Sequence, residues 1–547
     1  MALQIPGMPR PHHITVTLYR DDESTVEASL GAITRQDQLI THNAKIEVRV
    51  GSRSFDNGNF TGGAGDSVVV VPVPIDDDTN ALRHILWLAI DGAYKSAAST
   101  FEAKRAHRET KATGGDRPED FSSAPVQQYS GQPASPLPPI DAMAELAASG
   151  SAVFTTNPHV HRSVVRVVAH SSSRTLLDSD GTTIEDSKTC YRAEVVAYAQ
   201  APDGMVIADS EHRWLPYQPL GLGESTSELL QIKSAAERIA RQLDELTQAP
   251  MVESYSGPVA FVGEASPQLF RYLLADELSA TPLPEPRYDM GASSRSLSTL
   301  VNRRILPAGF DVVDDPAPGN PGLIGAMSRY VGEYRFDDEG VPSQEVRVVQ
   351  DGMLKTLLSS RTPSLQVPVS NGHGRAGLRS VARGRVSRLT VSTRNGLSET
   401  RLVDKAVELA RTEGLDHVFV ITRLGDPAMT RGILPHDARS TAGQTALVAQ
   451  HVSKVTFGPT AGKAGIRYER VRGATLRGMR TQDLRQIAAA CRTPHAYSYL
   501  ASDHPQRAQF GIDGAIPATV LAPSVLLPYV DITPLDPPFP QLPIAPR

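Results

Sequence analysis

Short runs of β-branched or alternating residues dominate the first 75 positions. Ile14-Thr15-Val16-Thr17-Leu18-Tyr19, Ile46-Glu47-Val48-Arg49-Val50 and Val68 to Val73 predict strands, because branched side chains pack well on a pleated surface. The period then changes. Leu82, Ile85, Leu86, Ala89, Ala93 and Ala97 recur at three- and four-residue steps behind Asp76-Asp77-Asp78, which predicts a helix whose positive end meets an acidic start. Lys111 to Pro139 is rich in Gly, Ser, Pro and Gln and reads as a flexible exposed loop over about 111–140. Strand-like runs from Val164 to Ala169 and Arg192 to Ala199 precede a second helix. There Ser225 and Glu228 have capping-box spacing, and Leu229, Ile232, Ala236, Ile239, Leu243 and Leu246 form one apolar stripe.

Past Pro250 the pattern turns to short strands between Gly and Pro turns. Val346 to Val349, Val418 to Ile421, Leu447 to Thr456 and Ile466 to Val471 are the clearest, with one helix from about Glu399 to Arg411 ended by Gly414. The tail from Pro523 is dense in proline, which has no amide to donate, so it is not expected to be a central strand throughout. The fold class is therefore α+β: an N-terminal α/β domain over 1–250 and a β-rich C-terminal domain over 251–547.

Composition narrows the partners. The 547 residues carry a net charge of −5, with 40% hydrophobic and 21% charged residues. That balance is ordinary for a globular protein and lacks the excess positive charge of a nucleic-acid binder. Cys190 and Cys491 stand far apart with no CxxC, so neither a disulfide framework nor a thiolate metal site is indicated. The N-terminus has no apolar leader and no run approaches the ~20 apolar residues that span a bilayer. The expectation is a cytoplasmic protein without a membrane partner.

Phe336-Asp337-Asp338-Glu339-Gly340-Val341-Pro342, followed by Val346 to Lys355, resembles the Asp-Asp-Glu-Gly signature of the TldD/TldE (PmbA) peptidase family, also described as modulators of DNA gyrase. Gly257-Pro258-Val259, Val312 to Pro316, Ser359-Ser360-Arg361, Asn371 to Arg375 and Val471 to Leu476 follow the same family's order. In the family's catalytic members an HExxxH helix and a late cysteine hold zinc, with the glutamate as general base. Position by position, the first histidine falls near Tyr272, the glutamate near Leu273, the second histidine near Glu277 and the cysteine on Phe510. Neither HExxH nor HExxxH occurs anywhere in the chain.

The resemblance thus implies a TldE-like subunit with no catalytic residues and no cofactor of its own. It also implies zinc in a TldD-like, HExxxH-bearing partner, assembled as a heterodimer or higher, and a flexible peptide as substrate. A stand-alone peptide-binding scaffold, or an enzyme with relocated groups, are the alternatives. Asn371-Gly372-His373-Gly374-Arg375 reads either as a nest that grips peptide backbone or as a flexible loop. Asp337, Asp338 and Glu339 have the chemistry of cation ligands or acid–base groups, but Gly340 and Pro342 favour a turn. Cys491 and His495 have the spacing of a thiolate–imidazole pair, with no orienting carboxylate evident.

Overall fold

Two strands far longer than their apolar runs open the chain. In the computed structural model, β1 (Pro11–Ser29) and β2 (Ala32–Ser52) pair antiparallel over nearly their whole length. Leu30 (φ 49°) and Gly31 (φ 83°) make the tight left-handed turn between them. The apolar runs mark only the parts of these strands that lie under a helix. Beyond them, polar residues continue the ladder because its cross-strand hydrogen bonds do not depend on a core, and residues 32–40 are exposed. The structure describes residues 7–61, 68–76, 78–110, 117–134, 136–215, 225–285, 297–317, 331–425, 447–458, 466–501, 516–535 and 539, apart from the side chains of 213, 215 and 225–230.

The first sheet has eight strands. Its order is β3 (Phe55–Asp56), β2, β1, β6 (Val160–Asp178), β7 (Thr183–Gln200), β5 (Gln128–Ser130), with β4 (Val68–Pro72) on β2 and β8 (Val206–Leu215) on β7. Helix α1 (Thr79–Thr110) sets Ala89, Ala93, Tyr94 and Ala97 on Ala44, Ile46, Val48 and Val50 of β2. The Asp78 carboxylate accepts the amides of Asn80 and Ala81 and so caps that helix. Helices α2 (Ile140–Ala152) and α3 (Ser225–Gln248) cover β6 and β7, and the stripe of Ile232, Ala236, Ile239, Leu243 and Leu246 is fully buried there. Helix α2 has no strong stripe of its own in the sequence. Its small residues form a helix because Met143, Leu146 and Ala147 pack into this core.

The stretch 117–134, read from its composition as an exposed loop, has many exposed residues but is anchored at one point. Asp120, Phe121 and Ser122 are buried. Lys104 pairs with Asp120 at 2.8 Å, and the Arg361 guanidinium lies 4.0 Å from the centre of the Phe121 ring. Polar and Gly-rich composition describes a segment's freedom, but partners distant in sequence can still remove it.

The second sheet has eleven strands. Its order is β12 (Met353–Leu354), β11 (Val346–Gln350), β10 (Phe310–Asp314), β15 (Arg388–Thr393), β21 (Ile516–Pro534), β19 (Ala474–Leu476), β17 (Leu447–Thr456), β16 (His417–Leu424), β9 (Tyr255–Phe261). β18 (Arg467–Val471) adds to β17 and β20 (Ala489–Ala501) to β21. Because β21 also pairs with β9, the strands from β21 round to β9 close a ring. A separate two-residue ladder joins β13 (Gly374–Arg375) to β14 (Arg383–Gly384). Helix α4 (Ala265–Leu273) packs its Leu269, Phe270 and Leu273 into the core inside this sheet, and α5 (Glu399–Thr412) buries Leu402, Ala406 and Ala410 on a second core.

The proline-dense tail is strand only as far as Pro534, as expected of a segment that is not a central strand throughout, but up to that point β21 is central and pairs with four strands. Three of its prolines occupy positions that interrupt the ladder little. Pro523 faces Pro494 across the ladder with β20, Pro528 falls in the register shift between Leu527 and Val530, and Pro534 ends the strand. No helix among the described residues is long and apolar enough to cross a membrane.

Candidate functional site

The acidic segment is a closed turn between the two sheets. The Asp337 amide donates to the Val341 carbonyl at 2.9 Å, and Gly340 takes φ 79°, a conformation that suits glycine. The fully buried Asp337 carboxylate accepts the amides of Glu339 (3.0 Å), Val341 (2.8 Å) and Gly374 (2.9 Å). Asp338 receives Arg174 Nη1 at 2.9 Å, Arg375 Nε at 3.0 Å and the Ala376 amide at 2.8 Å. Glu339 accepts the Arg361 amide at 2.6 Å. The signature is therefore a folding device whose carboxylates tie down backbone.

Arg174 of β6 connects this turn to the first sheet. Its guanidinium binds Asp186 with two nitrogens, at 3.0 and 2.6 Å, and also donates to Asp338 and to the carbonyls of Phe336 and Asp337. Nothing in the sequence marks it, because it follows three serines on a strand with no apolar alternation at that point.

The segment 371–375 clasps the same turn. Asn371 accepts the Ser359 amide and donates to the Leu357 carbonyl, and Arg375 lies 4.2 Å from the centre of the Tyr334 ring while binding Asp338. A Cβ on Gly374 would collide with the Glu339 carboxylate. His373 is fully buried and its Nε2 lies 3.0 Å from Asp314, the carboxylate to which Ser387 Oγ donates at 2.6 Å. Serine and histidine both end on the same carboxylate oxygen, so no base faces the hydroxyl and the trio is a brace.

Beside the turn, His13, Thr17, Lys45, Glu47, Glu339 and Arg361 line a small polar cleft. Burial, with Arg361 close by, pushes the His13 imidazole down to about 3, so it is neutral. Lys45 donates to the carbonyls of Gly377 and Ser380 at 3.0 and 2.7 Å. His13, Asp178 and Asp180 bring ligand atoms within 4.8 Å of one another. Arg53 and Arg361 already lie on Asp180 at 3.0 and 3.4 Å, which places positive charge where a cation would sit. The trio is an ion-pair cluster.

Burial, and then repulsion from Glu339, pushes Asp337 up, while burial pushes Glu339 up to about 7. Asp337 reaches about 8, so the pair holds one proton between its two carboxylates near neutrality. A raised Glu339 stabilises the fold below its ordinary value of 4.5, and this contribution is lost as pH rises through about 7. His13 acts the other way. Its contribution is present above 6.5 and lost as pH falls toward 3. Between pH 6.5 and 8 His13 adds no slope and the proton shared by Asp337 and Glu339 is lost, so melting temperature should fall across that window. Glu339→Gln, which keeps an acceptor for the Arg361 amide, should flatten the fall. Equal slopes for the two proteins in a thermal scan series would remove the shared proton.

The positions that correspond to zinc ligands lie on and just after α4. Tyr272 is partly buried and donates to the Gly425 carbonyl at 3.4 Å, Leu273 belongs to the core, and Glu277 sits on a 3-10 turn (Ala275–Leu278). Burial, with Asp276 beside it, raises Glu277. Phe510 lies outside the described residues. A phenol, an alkyl chain and one carboxylate do not fit a zinc site there. The Cys491 thiol is buried beneath α5 and pushed up to about 11 by that burial, while His495 pairs with Glu399 at 2.7 Å. No thiolate–imidazole couple results.

A closed acidic turn clasped by a Gly-His-Gly segment, on a ring-closed sheet beside a strand-rich α/β layer, defines a fold already known among metallopeptidases. Residues 256–533, just over half of the chain, match the PmbA/TldA metallopeptidase C-terminal domain, and the chain belongs to that PmbA/TldD family. No curated protein matches it in sequence. Among solved structures it is similar to TldE from Thermococcus kodakarensis, at 14% identity and TM-score 0.57, over 95% of this chain and 97% of the other. It is also similar to a candidate modulator of DNA gyrase from Thermotoga maritima, at 15% identity and TM-score 0.56, over 95% and 96%. A further candidate modulator, from Bacteroides thetaiotaomicron, matches at 13% identity and TM-score 0.54, over 96% and 95%. At these identities the likeness is one of fold.

Proposed function

We propose that this chain is a non-catalytic, TldE-like subunit of a heteromeric zinc metallopeptidase that acts on unfolded or flexible peptides. The observation that carries the reading is the α4 region, where Tyr272, Leu273 and Glu277 replace a histidine–glutamate–histidine set while the surrounding acidic turn and its clasp are complete. The chain contributes cavity wall and partner interface in the cytoplasm. Zinc belongs to a TldD-like subunit bearing HExxxH, in a heterodimer or a larger assembly. The side chains of Asn371 and His373 are held by Leu357 and Asp314 and Arg375 Nε by Asp338, so a peptide contact from Asn371 to Arg375 is left to groups such as Arg375 Nη1, which is buried without a partner. A flexible peptide is suited to adding a strand to a sheet edge, which reads backbone more than side chain.

Co-purification tests the assembly. A tagged chain expressed in its native host should bring down an HExxxH-bearing relative in fixed ratio through an interface well above ~1,000 Å². Recovery of the chain without such a relative, still able to bind flexible peptides, would favour the stand-alone scaffold.

A further inference from the structure

Next to Tyr272, at the place where catalytic relatives begin their metal-binding set, α4 carries an arginine whose surroundings differ from those of the other enclosed arginines. Arg174, Arg361, Arg388, Arg423 and Arg472 each lie within 4 Å of at least one carboxylate. Arg271 does not. Its guanidinium carbon lies 4.5 Å from the ring centre of Tyr272 and 4.6 Å from that of Tyr499. Tyr499 in turn stacks on Tyr497, with centres 5.9 Å apart and planes 10° from parallel. Among the described residues, no carboxylate comes within ion-pair distance of Arg271 and none of its guanidinium N–H groups is hydrogen-bonded.

We infer that Arg271, Tyr272 and Tyr499 form a site for the carboxylate of a bound peptide. The chemistry follows from the arrangement. Aromatic rings stabilise the cation through their π clouds but accept no strong hydrogen bond, so the planar fork of donors stays available at the guanidinium edge. Arg271 is half-buried and open to a ligand, and a carboxylate is the group that fits the fork with two parallel bonds. Helix α4 holds the arginine in place, because Leu269, Phe270 and Leu273 anchor it in the core and the Tyr272 hydroxyl is tied to the Gly425 carbonyl. Although burial opposes its charge, Asp276 and the neighbouring phenols keep Arg271 protonated. Asp276 itself is exposed and stands too far away to pair with it.

In this site a fixed organic cation stands beside Tyr272, the position at which the family resemblance places the first histidine of catalytic members. It would hold one end, or one acidic side chain, of the peptide that the partner cleaves. The inference rests on the peptide-binding part of the proposed function and not on the partner, so it is tested on the purified chain alone.

Three fluorescent versions of one flexible peptide separate the cases: a free C-terminal acid, the C-terminal amide, and the amide with a glutamate near its end. Fluorescence anisotropy should show the acid binding about tenfold or more tightly than the plain amide. Tight binding of the glutamate-bearing amide assigns the carboxylate to a side chain, and weak binding assigns it to the terminus. Either result supports the site. Arg271→Gln should reduce binding of the acid to the level of the amide, leave the plain amide unchanged, and be partly rescued by Arg271→Lys. The comparison of peptides on the unaltered chain does not depend on whether a variant folds. Equal binding of all three peptides would overturn the site, and so would equal binding of the acid by the folded Arg271→Gln protein. Co-purification of the HExxxH relative would be untouched by that failure.

Discussion

Mixing the chain with its HExxxH-bearing relative should raise cleavage of a flexible peptide by about tenfold or more over the relative alone. The chain by itself should carry no stoichiometric zinc and cleave nothing. The α4 positions Tyr272, Leu273 and Glu277 supply neither imidazole nor thiolate to hold a zinc-bound water. In the proposed assembly this chain would add confinement. A peptide held at both walls of a closed cavity meets the partner's zinc in a narrower set of poses, and effective concentration, not new chemistry, produces the gain. Chelation should abolish the activity of the mixture, and zinc should restore it. Metal analysis and a peptide-cleavage assay on each component and on the pair decide the matter. A relative that cleaves as well alone as in the mixture would sink the subunit reading. Chelator-sensitive cleavage by this chain, shown free of any partner, would point instead to an enzyme with relocated groups.

Replacing Arg174 by methionine should cost about 3–5 kcal/mol of stability, the loss expected when one member of a buried charge network is removed. The side chain is 9% exposed and its partners Asp338 and Asp186 are 11% and 28% exposed. Its removal leaves Asp338 with Arg375 alone as counter-charge, and strips a donor from the carbonyls of Phe336 and Asp337. Arg174→Lys keeps the charge but loses the two-nitrogen fork on Asp186, so it should recover only part of the loss. Because two cores need not unfold together, denaturant melting should be paired with hydrogen exchange at the amides of Glu339, Val341 and Gly374. These protons should exchange faster in Arg174→Met before the rest of the chain does. A cost below about 1 kcal/mol with unchanged exchange would show that the turn stands without this link.

The helix stripes were the most legible part of the fold. Ile232 to Leu246 face the core because a 3.6-residue period is a local property that needs no knowledge of the rest of the chain. Strand centres were legible for the same reason, at Val346, Val418 and Leu447, but strand ends were not. β1 and β2 continue through polar residues because each has a neighbour to bond to, and that neighbour is set by tertiary pairing. How far the proline-dense tail stays in the sheet, to Pro534, was set in the same way. Whether a missing amide matters depends on what stands opposite, and Pro494 opposite Pro523 asks for no donor.

By itself the sequence determined the family signature, the order of its segments and the absence of any HExxxH, since these are properties of adjacent residues. It also marked the acidic run as a turn through Gly340 and Pro342. Only the tertiary structure decided what the turn's carboxylates do, that Asp120 to Ser122 are buried, and that Arg271 stands stacked on tyrosines without an ion-pair partner. The reason is one of range. Hydrophobic periodicity acts within a few residues, whereas Arg174 and Asp338 meet across 164 positions of chain. Local patterns do not encode which buried charge finds which, because that pairing exists only once both sheets have formed.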